Sequence, residues 1–217
     1  MTFSIVVLNI LVFLYELYLL FTGGEEALNH FVTTFGVVPA ALTQGQSILI
    51  PFYLTPLTMM FVHGSVSHVG FNMVYLSAFG DNVEDRLRLG GYIVFYLVSG
   101  LLATFAQVFV DPTSQIPSVG ASGAIAGVLA GYVILFPGGH VRALLFWGPF
   151  IRIARVSALL FIGFWFITQF FAGVASLGVP TAETGGIAYW AHIGGFLAGA
   201  ILALLYKQFS RKRENES

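Results

Sequence analysis

Pro117-Ser-Val-Gly-Ala-Ser-Gly-Ala-Ile-Ala-Gly127 is the stretch from which the rest of the chain is read. A Gly- and Ser-rich loop here turns into an apolar helix at or near Ser122, leaving one hydroxyl at the mouth of a buried helix. Gly120 and Gly123 flank that hydroxyl and let other backbones, or a substrate, come close.

The surroundings of that helix are apolar throughout. The chain has 217 residues, of which 57% are hydrophobic and 9% charged, and its mean hydropathy is +0.87. Such a composition describes a polytopic, all-α membrane protein, not a soluble domain. One continuous series of hydrophobic segments with no polar linker predicts a single domain over residues 1–217, a helix bundle that buries its polar groups inside. The absence of cysteine excludes disulfides and thiol catalysis.

The pattern predicts six membrane spans, at about 3–21, 63–82, 90–110, 122–136, 153–172 and 190–206. The first is too long for the apolar core of a signal peptide and lacks a basic leader, so it is expected to be a retained helix. Residues 22–55, interrupted by Gly23-Gly24, Glu25-Glu26, Pro39, Gly45 and Pro51, are expected to form a long loop with short interfacial helices. His140 to Phe150 reads as an interfacial connection, and Lys207 to Ser217 as a solvated tail. The loop after the fifth span holds Pro180, Glu183 and Gly185-Gly186.

Orientation follows from the nine basic residues. Arg86 and Arg88 follow span two; Arg142, Arg152 and Arg155 lie between or just inside spans four and five; Lys207, Arg211, Lys212 and Arg213 follow span six. The alternate loops carry Glu25, Glu26, Asp111 and Glu183 but no Lys or Arg, which places both termini in the cytoplasm. The expected location is a prokaryotic cell membrane.

Depth then gathers the polar residues. At about 1.5 Å per residue, Ser122 lies roughly 21 Å above Phe136, and His192 roughly 22 Å above Lys207. His68 and Asn72 bracket the same plane, and their i, i+4 spacing puts them on one helix face. Polar side chains at such depth face a bundle interior or a wet cavity. Gly123, Gly127 and Gly131 in span four, and Gly195 and Gly199 in span six, form small-residue faces that would allow the two helices to touch.

That set suits nucleophilic catalysis. A serine needs a base to take its proton, and His192 would serve. The Ser122 backbone N–H, the Asn72 amide and the His68 imidazole are suitable donors for an oxyanion. No carboxylate is placed to complete a triad, so the expectation is a Ser122–His192 dyad. His63 is expected to brace its loop, and Glu16, near a helix end, to snorkel. The Phe-rich fifth span, with Phe161, Phe164, Trp165, Phe166, Phe170 and Phe171, reads either as a lateral gate or as lipid-facing packing.

These motifs resemble those of the rhomboid intramembrane serine proteases. Gly120-Ala121-Ser122-Gly123 is similar to the family's nucleophile motif, and Ala191-His192-Ile193-Gly194-Gly195 with Gly199 to its sixth-helix histidine motif. His63-Gly64, His68 and Phe71-Asn72-Met73 resemble its second-helix motif, and Val83-Glu84-Asp85-Arg86 the end of that helix. The resemblance implies six helices around a water-filled cavity, catalysis by Ser122 and His192, and oxyanion donors at His68 and Asn72. The implied partner is a transmembrane segment of a membrane-protein substrate, entering from the bilayer between spans two and five and cut near the outer membrane boundary. Two family features are missing: a Trp-Arg pair in the first loop, and an aromatic residue at position 126, where Ala126 leaves helix packing alone to orient the histidine.

Other chemistries fit less well. His63 and His68 are five apart with no intervening Glu, unlike a zinc protease, and an aspartyl protease needs two intramembrane aspartates. No metal, cofactor or nucleic acid is expected. A transporter would call for an inverted repeat, which is not evident. The remaining alternative is a catalytically silent relative that binds transmembrane segments.

Overall fold

The computed structural model of the chain describes residues 1–47, 49–147, 150–179 and 186–216. Pro149, Pro180, Glu183 and Gly185 lie outside these. Helix α1 is Thr2–Phe35, α2 Pro39–Thr43, α3 Thr55–Thr58, α4 Val66–Val110, α5 Ser122–Leu135, α6 Ala158–Ala175 and α7 Tyr189–Glu216. Strands β1 (His140–Trp147) and β2 (Phe150–Ser157) form an antiparallel hairpin between α5 and α6.

Helix α5 is the centre. Its residues from Gly123 to Tyr132 are buried without interruption, the signature of a helix enclosed on every side. Around it stand α4, α6 and α7, with α1 packed outside against α4. Helix α1 shows the opposite pattern: Thr2, Ile5, Asn9, Phe13 and Glu16 make one buried stripe at helical spacing, and the other face is exposed apolar surface suited to lipid.

At about 1.5 Å per residue, α4 would be more than twice the roughly 30 Å of a hydrocarbon core if it were straight. It breaks at Arg88 (φ 61°, ψ 166°), and residues 66–87 and 89–110 run back to back. A side chain on Gly80 would meet the Tyr92 hydroxyl. The expected second and third spans are therefore the two arms of one nearly continuous helix. Thr2 N–H donates to Glu84 Oε2 at 2.7 Å and Tyr206 O–H to the Arg86 carbonyl at 2.6 Å, so α1 begins and α7 leaves the bundle at this same turn. The protein is an integral membrane protein.

Several local expectations need correction. The stretch expected as a loop from residue 22 stays helical to Phe35, changing direction at Gly24 (φ 69°); the apolar spacing of Ala27, Phe31 and Phe35 lets this arm fold back, and Phe31 packs edge-on to Tyr15 at 5.5 Å. The connection after α5 is a β-hairpin that delays α6 to Ala158, because Val141, Ile153 and Val156 favour strand pairing. Arg142 and Arg155 sit directly across it. The tail is helical to Glu216. Without a Trp-Arg pair, the first loop is fastened by backbone pairing, with Val37 and Ser118 exchanging bonds of 3.0 and 2.7 Å, and by Thr58 O–H donating to the Phe35 carbonyl at 2.7 Å.

Candidate active site

Ser122 is the first residue of α5, so its backbone N–H has no acceptor within the helix. The loop reaches it through Gly120, whose φ of 118° is rare for any L side chain. Gly120 N–H donates to the Met59 carbonyl at 2.8 Å. A Cβ added here would stand 2.6 Å from the His68 ring. Glycine is thus required twice over, by conformation and by space.

His192 lies near the start of α7, and the small-residue faces bring it to Ser122. A Cβ on Gly195 would fall on the Gly123 carbonyl, and one on Gly199 on the Gly127 backbone. With the helices in backbone contact, His192 Nε2 lies 2.9 Å from Ser122 Oγ. The ring's Nδ1 faces Gln169 Oε1 at 2.7 Å, and Trp165 covers it at a centroid distance of 5.7 Å. The histidine is therefore oriented by α6, not by helix packing alone. Ala126 is wholly buried and brings no ring.

A neutral imidazole that gives its Nδ1 hydrogen to an amide oxygen presents a lone pair at Nε2. Pointed at a serine hydroxyl, that lone pair is what a general base requires.

The other polar residues approach from α4. His68 Nδ1 donates to the His63 carbonyl at 2.8 Å; a carbonyl only accepts, so in the neutral ring the hydrogen is on Nδ1 and Nε2 has none. Asn72 is buried, and among the described residues its Nδ2 has no hydrogen-bond partner, which leaves a donor beside the cavity. His63 is buried, donates from Nδ1 to the Phe61 carbonyl at 3.2 Å and meets the His68 ring edge-on at 5.1 Å.

Glu16 does not snorkel. It is 1% exposed, and its carboxylate accepts from His63 N–H at 3.0 Å and Gly64 N–H at 2.8 Å. These bonds fix the turn that supplies the His63 carbonyl, and through it the hydrogen placement on His68.

A cavity of about 460 Å³ joins these groups, lined by His68, Asn72, Tyr75, Ser122, Trp165 and His192 among others. Tyr75 stacks on Phe161 at 6.1 Å and tilts against Trp165 at 6.5 Å, bridging the first arm of α4 to α6. The rings of α6 divide by face. Phe161 and Trp165 turn inward, Phe166 stacks on Phe196 at 4.2 Å, and Phe164 and Phe171 are exposed.

Gln169 is the contributor that sequence reasoning missed, and Glu16 the one whose surroundings it misplaced. Thr168 and Gln169 are the only polar side chains within α6, and an amide in so apolar a helix is itself a sign of an inward-facing partner.

A family model for the Rhomboid domain matches residues 53–209, and the chain belongs to the rhomboid family. Among similar proteins, Rhomboid protein 1 of Saccharomyces cerevisiae mitochondria is 30% identical over 146 residues, covering 65% of this chain and 38% of its own length. Rhomboid protease GluP of Bacillus subtilis is 28% identical over 94% of this chain and 35% of its own. Rhomboid protease AarA of Providencia stuartii is 26% identical over 95% of this chain and 72% of its own. The chain thus spans little more than a third of the yeast and Bacillus relatives.

Proposed function

We propose that this chain is an intramembrane serine endopeptidase that cuts transmembrane segments of membrane proteins near the outer membrane boundary, with both termini cytoplasmic. The observation that carries the reading is the 2.9 Å contact between Ser122 Oγ and His192 Nε2 at the wall of a cavity that His68 and Asn72 also line. Two relatives are named as rhomboid proteases, which supports peptide-bond hydrolysis as the reaction.

In this mechanism Ser122 Oγ attacks the scissile carbonyl as His192 Nε2 takes its proton. The tetrahedral oxyanion accepts from the Ser122 N–H, aided by the positive end of α5, and from Asn72 Nδ2. Collapse expels the amine, which receives the proton from His192, and water then releases the acyl-enzyme by the same route. No metal or cofactor enters.

The test is covalent labelling of the detergent-purified chain with a fluorophosphonate, beside cleavage of a single-span substrate. Wild type should label and cleave, and Ser122→Ala should do neither. Cleavage by Ser122→Ala at the wild-type rate refutes the assignment, and wild type that binds the segment but never labels or cuts it supports the silent-relative reading.

The two oxyanion side chains should differ. Because His68 can donate from Nε2 only when protonated, Asn72 carries the larger share near neutrality. Asn72→Ala should lower kcat by about 10²–10³-fold, and His68→Ala by less; the reverse order in steady-state assays would remove Asn72 from this role.

Entry from the bilayer between α4 and α6 must part Tyr75 from Phe161. An aromatic pair contributes about 0.5–1.5 kcal/mol, so with opening as the slow step Phe161→Ala should raise the cleavage rate roughly 2- to 10-fold. An unchanged rate in membranes would mean that this stack is not the gate.

A further inference from the structure

We infer that Gln169 is the positioning residue that holds His192 in its proton-accepting form, at the end of a one-way run of hydrogen bonds that starts on α6. The inference rests on the Ser122–His192 reading above and adds a member to it. Each link has a settled direction. The Thr168 hydroxyl donates to the Trp165 carbonyl at 2.6 Å, so its hydrogen is committed and its oxygen can only accept. Gln169 Nε2 donates to that oxygen at 3.2 Å. This turns the other end of the amide, Oε1, toward His192 Nδ1 at 2.7 Å. Oε1 cannot donate, so Nδ1 must carry the hydrogen, and Nε2 presents its lone pair to Ser122 Oγ at 2.9 Å.

The opposite amide orientation would have the opposite effect. An NH₂ facing Nδ1 would draw the lone pair there and leave the hydrogen on Nε2, where it would block proton transfer from Ser122. Thr168 disfavours that orientation as long as its one hydrogen is given to the Trp165 carbonyl. The amide performs the orienting task of a triad's carboxylate without adding a charge to a site enclosed by apolar helices.

Substitution at position 169 separates this role from simple packing. Gln169→Leu, which fills the space but cannot accept, should lower kcat by about 10- to 100-fold with KM unchanged, and should slow fluorophosphonate labelling in parallel. Gln169→Glu restores an acceptor and should restore most of the rate. It should also move the acid limb of the kcat/KM profile to higher pH by about one unit, because a carboxylate at Nδ1 favours the protonated ring and activity needs the neutral one. Among the described residues, the other titratable side chains facing this cavity are His68 and Tyr75 of α4; α5 brings Ser122, and α6 otherwise only the neutral Trp165. Neither Gln169→Leu nor Gln169→Glu alters those other groups, so a shift of the limb reports on position 169.

A Gln169→Leu enzyme with wild-type kcat overturns the inference. So does a Gln169→Glu enzyme whose acid limb stays in place, the result expected of a residue that only packs. If cleavage is lost on Ser122→Ala yet indifferent to position 169, the dyad stands and only this inference falls. If Ser122→Ala still cleaves, both fall.

Discussion

Ser122→Ala, His192→Ala and the double variant should all lose cleavage by the same factor, about 10⁴–10⁶-fold, as expected of groups that act as one unit. Without the hydroxyl there is nothing to acylate. Without the imidazole the hydroxyl keeps its proton, in a cavity where water competes poorly as a base. Since either loss already stops the covalent route, the second substitution should add almost nothing. Single-turnover cleavage of a reconstituted single-span substrate gives the comparison directly. Losses that multiplied in the double variant would show that the two residues act independently, contrary to the 2.9 Å contact between them.

Gly195→Val should be nearly as damaging without removing any reacting atom. Its side chain would enter the space of the Gly123 carbonyl, a group of the α5 backbone that cannot rotate away. The helices must part, at a typical overpacking cost of about 1–3 kcal/mol, and Ser122 moves away from His192. A displacement near 1 Å at a reacting pair costs about 10²-fold in rate, so activity should fall further than stability. Gly163→Ala on α6 is the matching control. Among the described residues nothing lies within 4 Å of the position its Cβ would take, and a helical alanine in place of glycine should raise stability by about 0.5–1 kcal/mol. Thermal unfolding in one detergent, paired with cleavage rates, separates the cases; a fully active Gly195→Val enzyme would dismiss backbone contact as the source of the site geometry.

What could be read from the sequence was whatever repeats with helical period or carries charge. The buried run after Ser122, the glycine faces of α5 and α7, and the level shared by Ser122, His192, His68 and Asn72 all follow from spacing along single helices. Contacts that depend on how a chain turns were not readable. Glu16 meets a turn 47 residues away, and counting its distance from a helix end could not reveal that. Gln169 is hard to pick out because the phenylalanines around it make α6 read as a lipid-facing helix or a gate, although its solitary amide is the sign. The hairpin is hard to read for another reason: apolar residues in a membrane protein suggest an interface, and a short apolar run carries only a weak strand signal.

Helix α5 is short, 14 residues from Ser122 to Leu135. At about 1.5 Å per residue it is some 21 Å long, against roughly 30 Å of hydrocarbon. Under the proposed function, with Leu135 at the cytoplasmic boundary, the Ser122 nucleophile sits well beneath the outer bilayer surface, and a bound polypeptide must deliver its bond there. In an intact α-helix every carbonyl is engaged by the N–H four residues on, and neighbouring side chains screen its faces. The arriving segment must melt over about a turn before it can be attacked, and glycine or β-branched residues near the cut make melting cheaper by up to about 1 kcal/mol each. Selection between victims would then depend on how readily a segment uncoils, with side-chain recognition second.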